Sequence, residues 1–110
     1  MPPRNRTLDP VVLDEIVRRI VEVAEPERII LFGSAARGEM GPDSDVDLLV
    51  IKGGEYNPRA IARAIYRRLM GVVLPVDVVV ARPETLEHYR DVPFLLYAPA
   101  LREGRTLYAA

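Results

Sequence analysis

The sequence predicts an α/β protein in which helices flank a small mixed sheet of three to four strands. Short, mostly apolar runs rich in β-branched residues recur along the chain, as in RIILF, DVDLLVI and PVDVVVA. Between them lie longer stretches whose apolar residues repeat at helical spacing, and Gly or Pro stands at most boundaries. Helical and strand patterns that alternate in this way are typical of a sheet with helices packed against it.

Two longer helices are predicted from their caps and their apolar stripes. Asp9 can cap a helix over about residues 10–25, which has a Pro at its first position, where a missing N–H breaks no hydrogen bond. Asn57 can cap a second helix over about residues 58–70, and Gly71 is placed to end it. Both helices would lay an apolar face on the sheet.

Three strands are expected at residues 28–32, 45–51 and 75–81. The second begins with polar residues and continues with apolar residues on both faces, which favours a central position in the sheet. The segments between most of these strands are too long for tight hairpins. Crossover helices are therefore expected, although a sheet with both parallel and antiparallel pairs fits as well.

The segment after the third strand is predicted to be helical in pieces. Pro93 is expected to start a helix, Pro99 to interrupt or kink it, and Gly104 to end it. The RTLY segment that follows is predicted to form a short edge strand.

Length and composition predict one domain, residues 1–110, and restrict the function classes. The formal net charge of −1 gives no broad basic surface, so binding to long nucleic acid is not expected. The chain has no cysteine, which excludes disulfides and thiolate metal sites. No apolar run is long enough to span a membrane, and no signal-peptide pattern is present. A soluble, cytoplasmic protein is expected.

Acidic residues stand at unusual positions in two of the predicted strands. Asp45 and Asp47 are two residues apart, so they would point to the same face and repel each other. Mg²⁺ relieves such repulsion, because it prefers oxygen ligands and is commonly held by one or two carboxylates with substrate phosphates. Asp77 lies among apolar β-branched residues and would complete a three-carboxylate cluster if the third strand neighbours the second. Such a cluster could hold two metal ions, or one metal ion beside a general base.

A Gly-Ser pair supplies a second half of the predicted site. Gly33 lets the backbone turn sharply and approach a ligand closely. Ser34 would open a short helical turn, closed by Gly38, whose free N–H groups favour a phosphate. Arg37, one helical turn after Ser34, could add a cation to the same phosphate. Carboxylates on one side and an anion-binding turn on the other predict a site for a nucleoside triphosphate with Mg²⁺.

Each of these residues also has a plainer interpretation. Asp45 and Asp47 could be solvent-facing acids at the start of a strand. Asp77 could be a structural acid paired with an inward-facing cation such as Arg28. Arg37 could be a solvated loop charge. A Gly-Ser pair, two spaced acids and a third acid in a later strand are less easily explained as separate coincidences.

The segment GSAARGEMGPDSDVD resembles the signature of the DNA polymerase β-like nucleotidyltransferase superfamily, in which ten residues separate Gly-Ser from Asp-x-Asp. The pattern and the short chain are most similar to the minimal nucleotidyltransferases (MNT), antitoxin-type proteins often paired with a HEPN-domain toxin. The resemblance implies a small nucleotidyltransferase-type fold. It also implies that Asp45, Asp47 and Asp77 bind Mg²⁺, and that Gly33 and Ser34 hold the triphosphate.

The same resemblance, which covers about residues 28–81, implies an activity and a partner. It implies transfer of a nucleoside monophosphate, AMP from ATP, to a hydroxyl of a HEPN-domain toxin, where a tyrosine is the acceptor. A homo- or hetero-oligomer would fit this role. The alternative is a non-catalytic antitoxin that neutralises its partner by direct contact. A transferase for a small molecule is a third interpretation, for which a short chain leaves little room.

Overall fold

The structure, a computed structural model, describes residues 8–39, 45–89 and 97–110. Helices and strands alternate in these ranges, and none of the helices there is long and apolar enough to cross a membrane. The elements in chain order are α1 (Pro10–Ala24), β1 (Arg28–Phe32), α2 (Gly33–Ala36), β2 (Val46–Ile51), α3 (Pro58–Arg68), β3 (Val76–Ala81), α4 (Pro83–Tyr89), α5 (Tyr97–Glu103) and β4 (Arg105–Ala109). The predicted α/β class is confirmed.

The four strands form one mixed sheet in the order β3-β2-β1-β4. β2 and β3 are parallel, whereas β1 is antiparallel to both of its neighbours, β2 and β4. β2 has an inner position, as its apolar sequence predicts, and β4 is the predicted edge strand. β3 forms the other edge, and α3 is the crossover helix that connects β2 to it. This order places Asp77, the third predicted acid, beside Asp47.

Alternate residues of the strands point to opposite faces of the sheet, and each face has its own core cluster. On the first face, α1 and α3 pack over the larger cluster, which includes Ile16, Ile20, Ile29, Leu31, Val46, Leu48, Val50, Ile65 and Val78. On the second face, α4 and α5 contribute to a smaller cluster of Ile30, Leu49, Ile51, Ala81, Leu86 and Ala100. Asp47 alternates with Val46 and Leu48, so it belongs to the second face, which the smaller cluster covers less completely.

Both predicted helix caps are present. The Oδ1 atom of Asp9 accepts a hydrogen bond from the N–H of Val11 at 2.9 Å, at the start of α1. The Oδ1 atom of Asn57 accepts from the N–H groups of Arg59, at 2.9 Å, and Ala60, at 3.3 Å, at the start of α3. These bonds satisfy donors that have no partner inside their own helix, and they fix where each helix begins on the sheet.

The last helical region differs from the prediction at one proline. The described residues of α5 are Tyr97–Glu103, and Pro99 lies among them with helical residues on both sides. The predicted interruption at Pro99 was therefore wrong. The helix start predicted at Pro93 lies outside the described residues. Gly104 follows the last residue of α5, as predicted, and its N–H donates to the carbonyl of Ala100 at 3.0 Å.

Candidate active site

Two of the predicted site acids face each other across neighbouring strands. Asp47 of β2 and Asp77 of β3 are partners in the parallel register, on the second face of the sheet. Adjacent strands lie about 4.8 Å apart, so the two side chains leave the sheet side by side. Asp45 precedes the first residue of β2. Asp47 is half-buried, whereas Asp45 and Asp77 are exposed, so this end of the second face is open to a ligand.

The electrostatics of Asp47 reflect this crowding. The pKa of its carboxyl is raised above the ordinary value, chiefly because the side chain is partly buried. The negative charges of Asp77 and Asp45 raise the pKa of Asp47 further. Ionisation of the Asp47 carboxyl is costly without a ligand and becomes more favourable when a cation binds beside it. The site therefore suits a positively charged ligand.

Gly33 packs directly against the Asp47 carboxylate. Its φ angle is +72°, in the left-handed region that favours glycine. A Cβ atom built on Gly33 would lie 3.3 Å from Cγ of Asp47 and closer still to its Oδ2 atom. The turn at Gly33 therefore lies close to the Asp47 carboxylate, and the close approach of its backbone to a ligand stays a prediction. Gly33 sets the distance between the β1–α2 turn and the acid pair.

The short helical turn predicted here is present as α2, but it begins at Gly33, so Ser34 is its second residue and not its first. The Ser34 carbonyl accepts a hydrogen bond from the N–H of Glu39 at 2.8 Å, and Gly38, with a φ of +71°, lies in the turn that follows the helix. Phe32, the residue before α2, makes no side-chain cap hydrogen bond to the first N–H groups of the turn. These groups lie next to the position of Asp47, which pairs with Phe32 in the sheet.

Arg37 caps the C-terminus of α2 and its side chain contacts acids outside the predicted site. The guanidinium lies 3.1 Å from the Glu39 carboxylate and 3.9 Å from that of Glu103. All three side chains are substantially exposed, so these ion pairs are weak and can exchange with another anion. Phosphate binding by Arg37 stays a prediction, beside the plainer interpretation as a solvated charge.

Tyr66 of α3 is a site residue that sequence reasoning missed. Its hydroxyl donates a hydrogen bond to Oδ1 of Asp77 at 3.2 Å and accepts one from the N–H of Val78 at 2.8 Å. Partial burial raises the pKa of the Tyr66 phenol, and the charges of Asp77 and Asp45 add to this, while the bond from Val78 lowers it. The phenol is therefore held in its protonated, donating form.

The structural role suggested for Asp77 does not match its surroundings. Arg28, the candidate partner, lies at the opposite end of β1 from Phe32, and its Nη2 atom donates to Oγ1 of Thr106 at 2.8 Å. Within the part of the chain that the structure describes, Asp77 contacts the Tyr66 hydroxyl and no cation. A buried ion pair therefore does not explain the acid at this position.

The arrangement of the acids bears on whether they can bind a metal ion. Among the described side chains, no three from His, Cys, Asp and Glu are gathered closely enough to form a ligand set. The three-carboxylate site at Asp45, Asp47 and Asp77 is thus not preassembled and stays a prediction. Paired carboxylate oxygens, one of them half-buried beside a like charge, nevertheless fit Mg²⁺, which usually takes one or two carboxylates and completes its shell with phosphate oxygens and water.

Comparison with known proteins identifies the class. Residues 13–98 match the family described as Nucleotidyltransferase domain. The chain belongs to this family, and it is a nucleotidyltransferase. A search of curated proteins found no significant match.

Solved structures share the fold. A toxin–antitoxin crystal structure with AMP-PNP is 20% identical, with a TM-score of 0.66 over 88% of this chain and 73% of that chain. A mutant of the toxin–antitoxin MntA-HpeT is 17% identical, with a TM-score of 0.62 over 94% of this chain and 75% of that one. A putative nucleotidyltransferase from Sulfolobus solfataricus is 20% identical, with a TM-score of 0.54 over 93% of this chain and 90% of the Sulfolobus chain.

Proposed function

We propose that this nucleotidyltransferase transfers AMP from ATP, in the presence of Mg²⁺, to a hydroxyl of a partner protein, and that the partner is a HEPN-domain toxin for which it is the antitoxin. The observation that supports the activity is the register of Asp47 with Asp77, beside the Gly33 turn. The partner is inferred from the signature in the sequence and from the toxin–antitoxin structures that share the fold.

The reaction exchanges one phosphoester bond for another. The acceptor oxygen bonds to the α-phosphorus of ATP, the bond from that phosphorus to the bridging oxygen breaks, and pyrophosphate leaves. Bound Mg²⁺ would neutralise charge that develops on the phosphates. Asp45 and Asp47 would hold it, and Asp77 would either join them or take the proton of the attacking hydroxyl.

Gly33 and Ser34 would orient the triphosphate. The absence of a side chain at Gly33 leaves the backbone of the turn against Asp47, so phosphate oxygens held by the turn would meet the carboxylates. Asp47 is partly buried and is repelled by the charges of Asp77 and Asp45. A bound metal-nucleotide complex would offset both effects, which favours its binding. Positioning and charge neutralisation, rather than covalent catalysis, would then lower the barrier.

The direct test uses ATP labelled at the α-phosphorus, Mg²⁺, the purified chain and the purified protein encoded by the adjacent gene. Label should appear on the partner with the wild type and not with Asp47→Asn or after addition of EDTA. Asp14→Asn is a matched control, because Asp14 is an exposed acid of α1 outside the site. Competition with unlabelled GTP, CTP and UTP determines the nucleotide preference.

A second arm separates catalysis from neutralisation by contact. The partner toxin is expressed in cells with the wild type or with Asp47→Asn. Loss of protection with the variant supports the enzymatic antitoxin. Full protection by a variant that transfers no label would show that contact alone neutralises the toxin, and neutralisation by nucleotide transfer would be wrong.

A further inference from the structure

Tyr66 links the two faces of the sheet around an open edge. It follows Ile65, a fully buried residue of α3, in the layer that covers the first face. β3 is an edge strand, and the Asp77 side chain leaves it on the second face. The Tyr66 side chain, 41% exposed, therefore passes the edge of β3 to reach Asp77.

The direction of both hydrogen bonds at the Tyr66 hydroxyl is fixed by chemistry. The backbone N–H of Val78 can only donate, so the phenolic oxygen accepts from it at 2.8 Å. The hydroxyl has one proton, and the other partner within reach is Oδ1 of Asp77, at 3.2 Å. Tyr66 therefore donates to the carboxylate. The position of its hydroxyl is fixed by the main-chain N–H of Val78, which follows Asp77 in β3.

Asp77 needs such a restraint. It is exposed, so solvent would stabilise other rotamers, and it faces Asp47, a like charge on the neighbouring strand. Repulsion between the two carboxylates favours rotation of the more exposed side chain away from the pair. The bond from Tyr66 opposes that rotation, and a bond to a charged acceptor is stronger than one between neutral groups.

We infer that Tyr66 is a positioning residue, which holds the Asp77 carboxylate toward Asp47 before the metal-nucleotide complex binds. The inference rests on the proposed function, since it assigns Tyr66 to the nucleotidyl-transfer site. Tyr66 acts through Asp77 and does not take part in bond making. Its phenol ring also covers the edge of β3, but the ring alone cannot restrain the carboxylate.

The test compares Tyr66→Phe with wild type and with a matched control. Tyr56→Phe removes a hydroxyl that donates to the carbonyl of Lys52 at 2.6 Å, in the loop after β2, away from the acids. For Tyr66→Phe we expect kcat to fall about tenfold while KM for Mg·ATP changes less than about twofold, because one charge-assisted hydrogen bond is lost from a preorganised site. Tyr56→Phe should retain wild-type kcat.

A second measurement does not depend on activity. Three-bond NMR couplings should report one χ1 rotamer of Asp77 in the wild type and rotamer averaging in Tyr66→Phe, with the wild-type pattern retained in Tyr56→Phe. An unchanged rotamer, or an unchanged kcat in an active enzyme, would overturn the inference. Transferred nucleotide found on Tyr66 itself would also overturn it, since the residue would then be an acceptor.

The two measurements separate this inference from the proposed function. If the wild type transfers no nucleotide to the partner but Asp77 loses its rotamer in Tyr66→Phe, the function is wrong and the restraint stands. If the wild type is active and Tyr66→Phe has the same kcat and the same rotamer, the function stands and the positioning role is wrong.

Discussion

Asp47 and Asp77 stand opposite each other in register on neighbouring parallel strands, in two segments that are otherwise almost entirely apolar. Two like charges in this arrangement weaken the fold unless a ligand separates or neutralises them. The pair therefore connects stability to function. Replacing one of the two acids by a neutral residue should raise the stability of the fold and lower the activity.

The first prediction concerns Asp47 in the absence of metal. The folded state holds the Asp47 proton more tightly than the unfolded state, because the folded pKa is raised. The free energy of unfolding therefore falls as the pH rises from the ordinary carboxyl pKa through the raised one, and the penalty is complete above that window. Asp47→Asn should remove it and stabilise the protein at neutral pH by a few tenths of a kcal/mol up to about 1 kcal/mol, since water screens this half-exposed site.

Denaturant unfolding in EDTA at several pH values measures this effect. The difference between Asp47→Asn and wild type should grow with pH through the window and shrink in high salt. Asp14→Asn should show no such trend. A variant less stable than wild type at neutral pH would contradict the repulsion described at the site.

The second prediction uses two glycines with matched backbones. Gly33 and Gly38 have φ angles of +72° and +71°, so Ala at either position is strained by about 1–2 kcal/mol. A Cβ on Gly33 meets the Asp47 carboxylate, whereas a Cβ on Gly38 meets nothing within 4 Å. Gly33→Ala should abolish transfer, and Gly38→Ala should lower stability while leaving kcat within about threefold of wild type.

Thermal unfolding and the label-transfer assay, run on both variants, check this prediction. Equal loss of activity in the two would mean that backbone strain in the turn, and not contact with Asp47, disables the enzyme.

The third prediction concerns Arg37. If its guanidinium leaves Glu39 and Glu103 for the triphosphate, Arg37→Gln should raise KM for Mg·ATP several-fold at low salt with little change in kcat, because the lost contact is made equally in the ground state and the transition state. Arg63→Gln, an exposed cation of α3, is the control. Steady-state kinetics that match the wild type would establish Arg37 as a solvated charge.

The fourth prediction concerns ligand-linked stability. Mg·AMP-PNP should raise the melting temperature of the wild type, by an amount equivalent to about 2.7 kcal/mol at a ligand concentration one hundred times Kd. Neither AMP-PNP in EDTA nor Mg²⁺ alone should match it. Differential scanning fluorimetry with Asp47→Asn should show a much smaller shift, and a full shift in that variant would exclude Asp47 as a metal ligand.

Much of the fold is predictable because it depends on local rules. Asp9 and Asn57 cap the helices that their positions predict, and the apolar residues on both faces after Asp47 predict an inner strand. Pro99 was misassigned because the residues around a proline do not show whether a helix continues past it. The position of the third strand beside the second was predicted only as a condition, because strand order depends on contacts between residues that are far apart in the sequence.

The site was predictable to the extent that its residues break the strand pattern. An acid in an apolar strand is visible in the sequence, as Asp77 is, whereas Tyr66 occupies a partly exposed helix position where tyrosine is unremarkable. Tyr66 contacts β3 because α3 connects β2 to this edge strand and lies with Tyr66 beside the edge. Such a contact depends on how the helix packs, and the spacing of residues along the chain does not determine it.

The pairing of β1 with β4 also decides how the protein can be handled. The N–H of Ala110 donates to the carbonyl of Glu27 at 2.8 Å, at the start of β1, whereas Phe32 at the other end of that strand lies beside Asp47. An affinity tag or fluorophore fused after Ala110 would leave the sheet about 15 Å from the carboxylates. Immobilisation through that end would keep the Asp47–Asp77 pair free for a surface-based binding experiment.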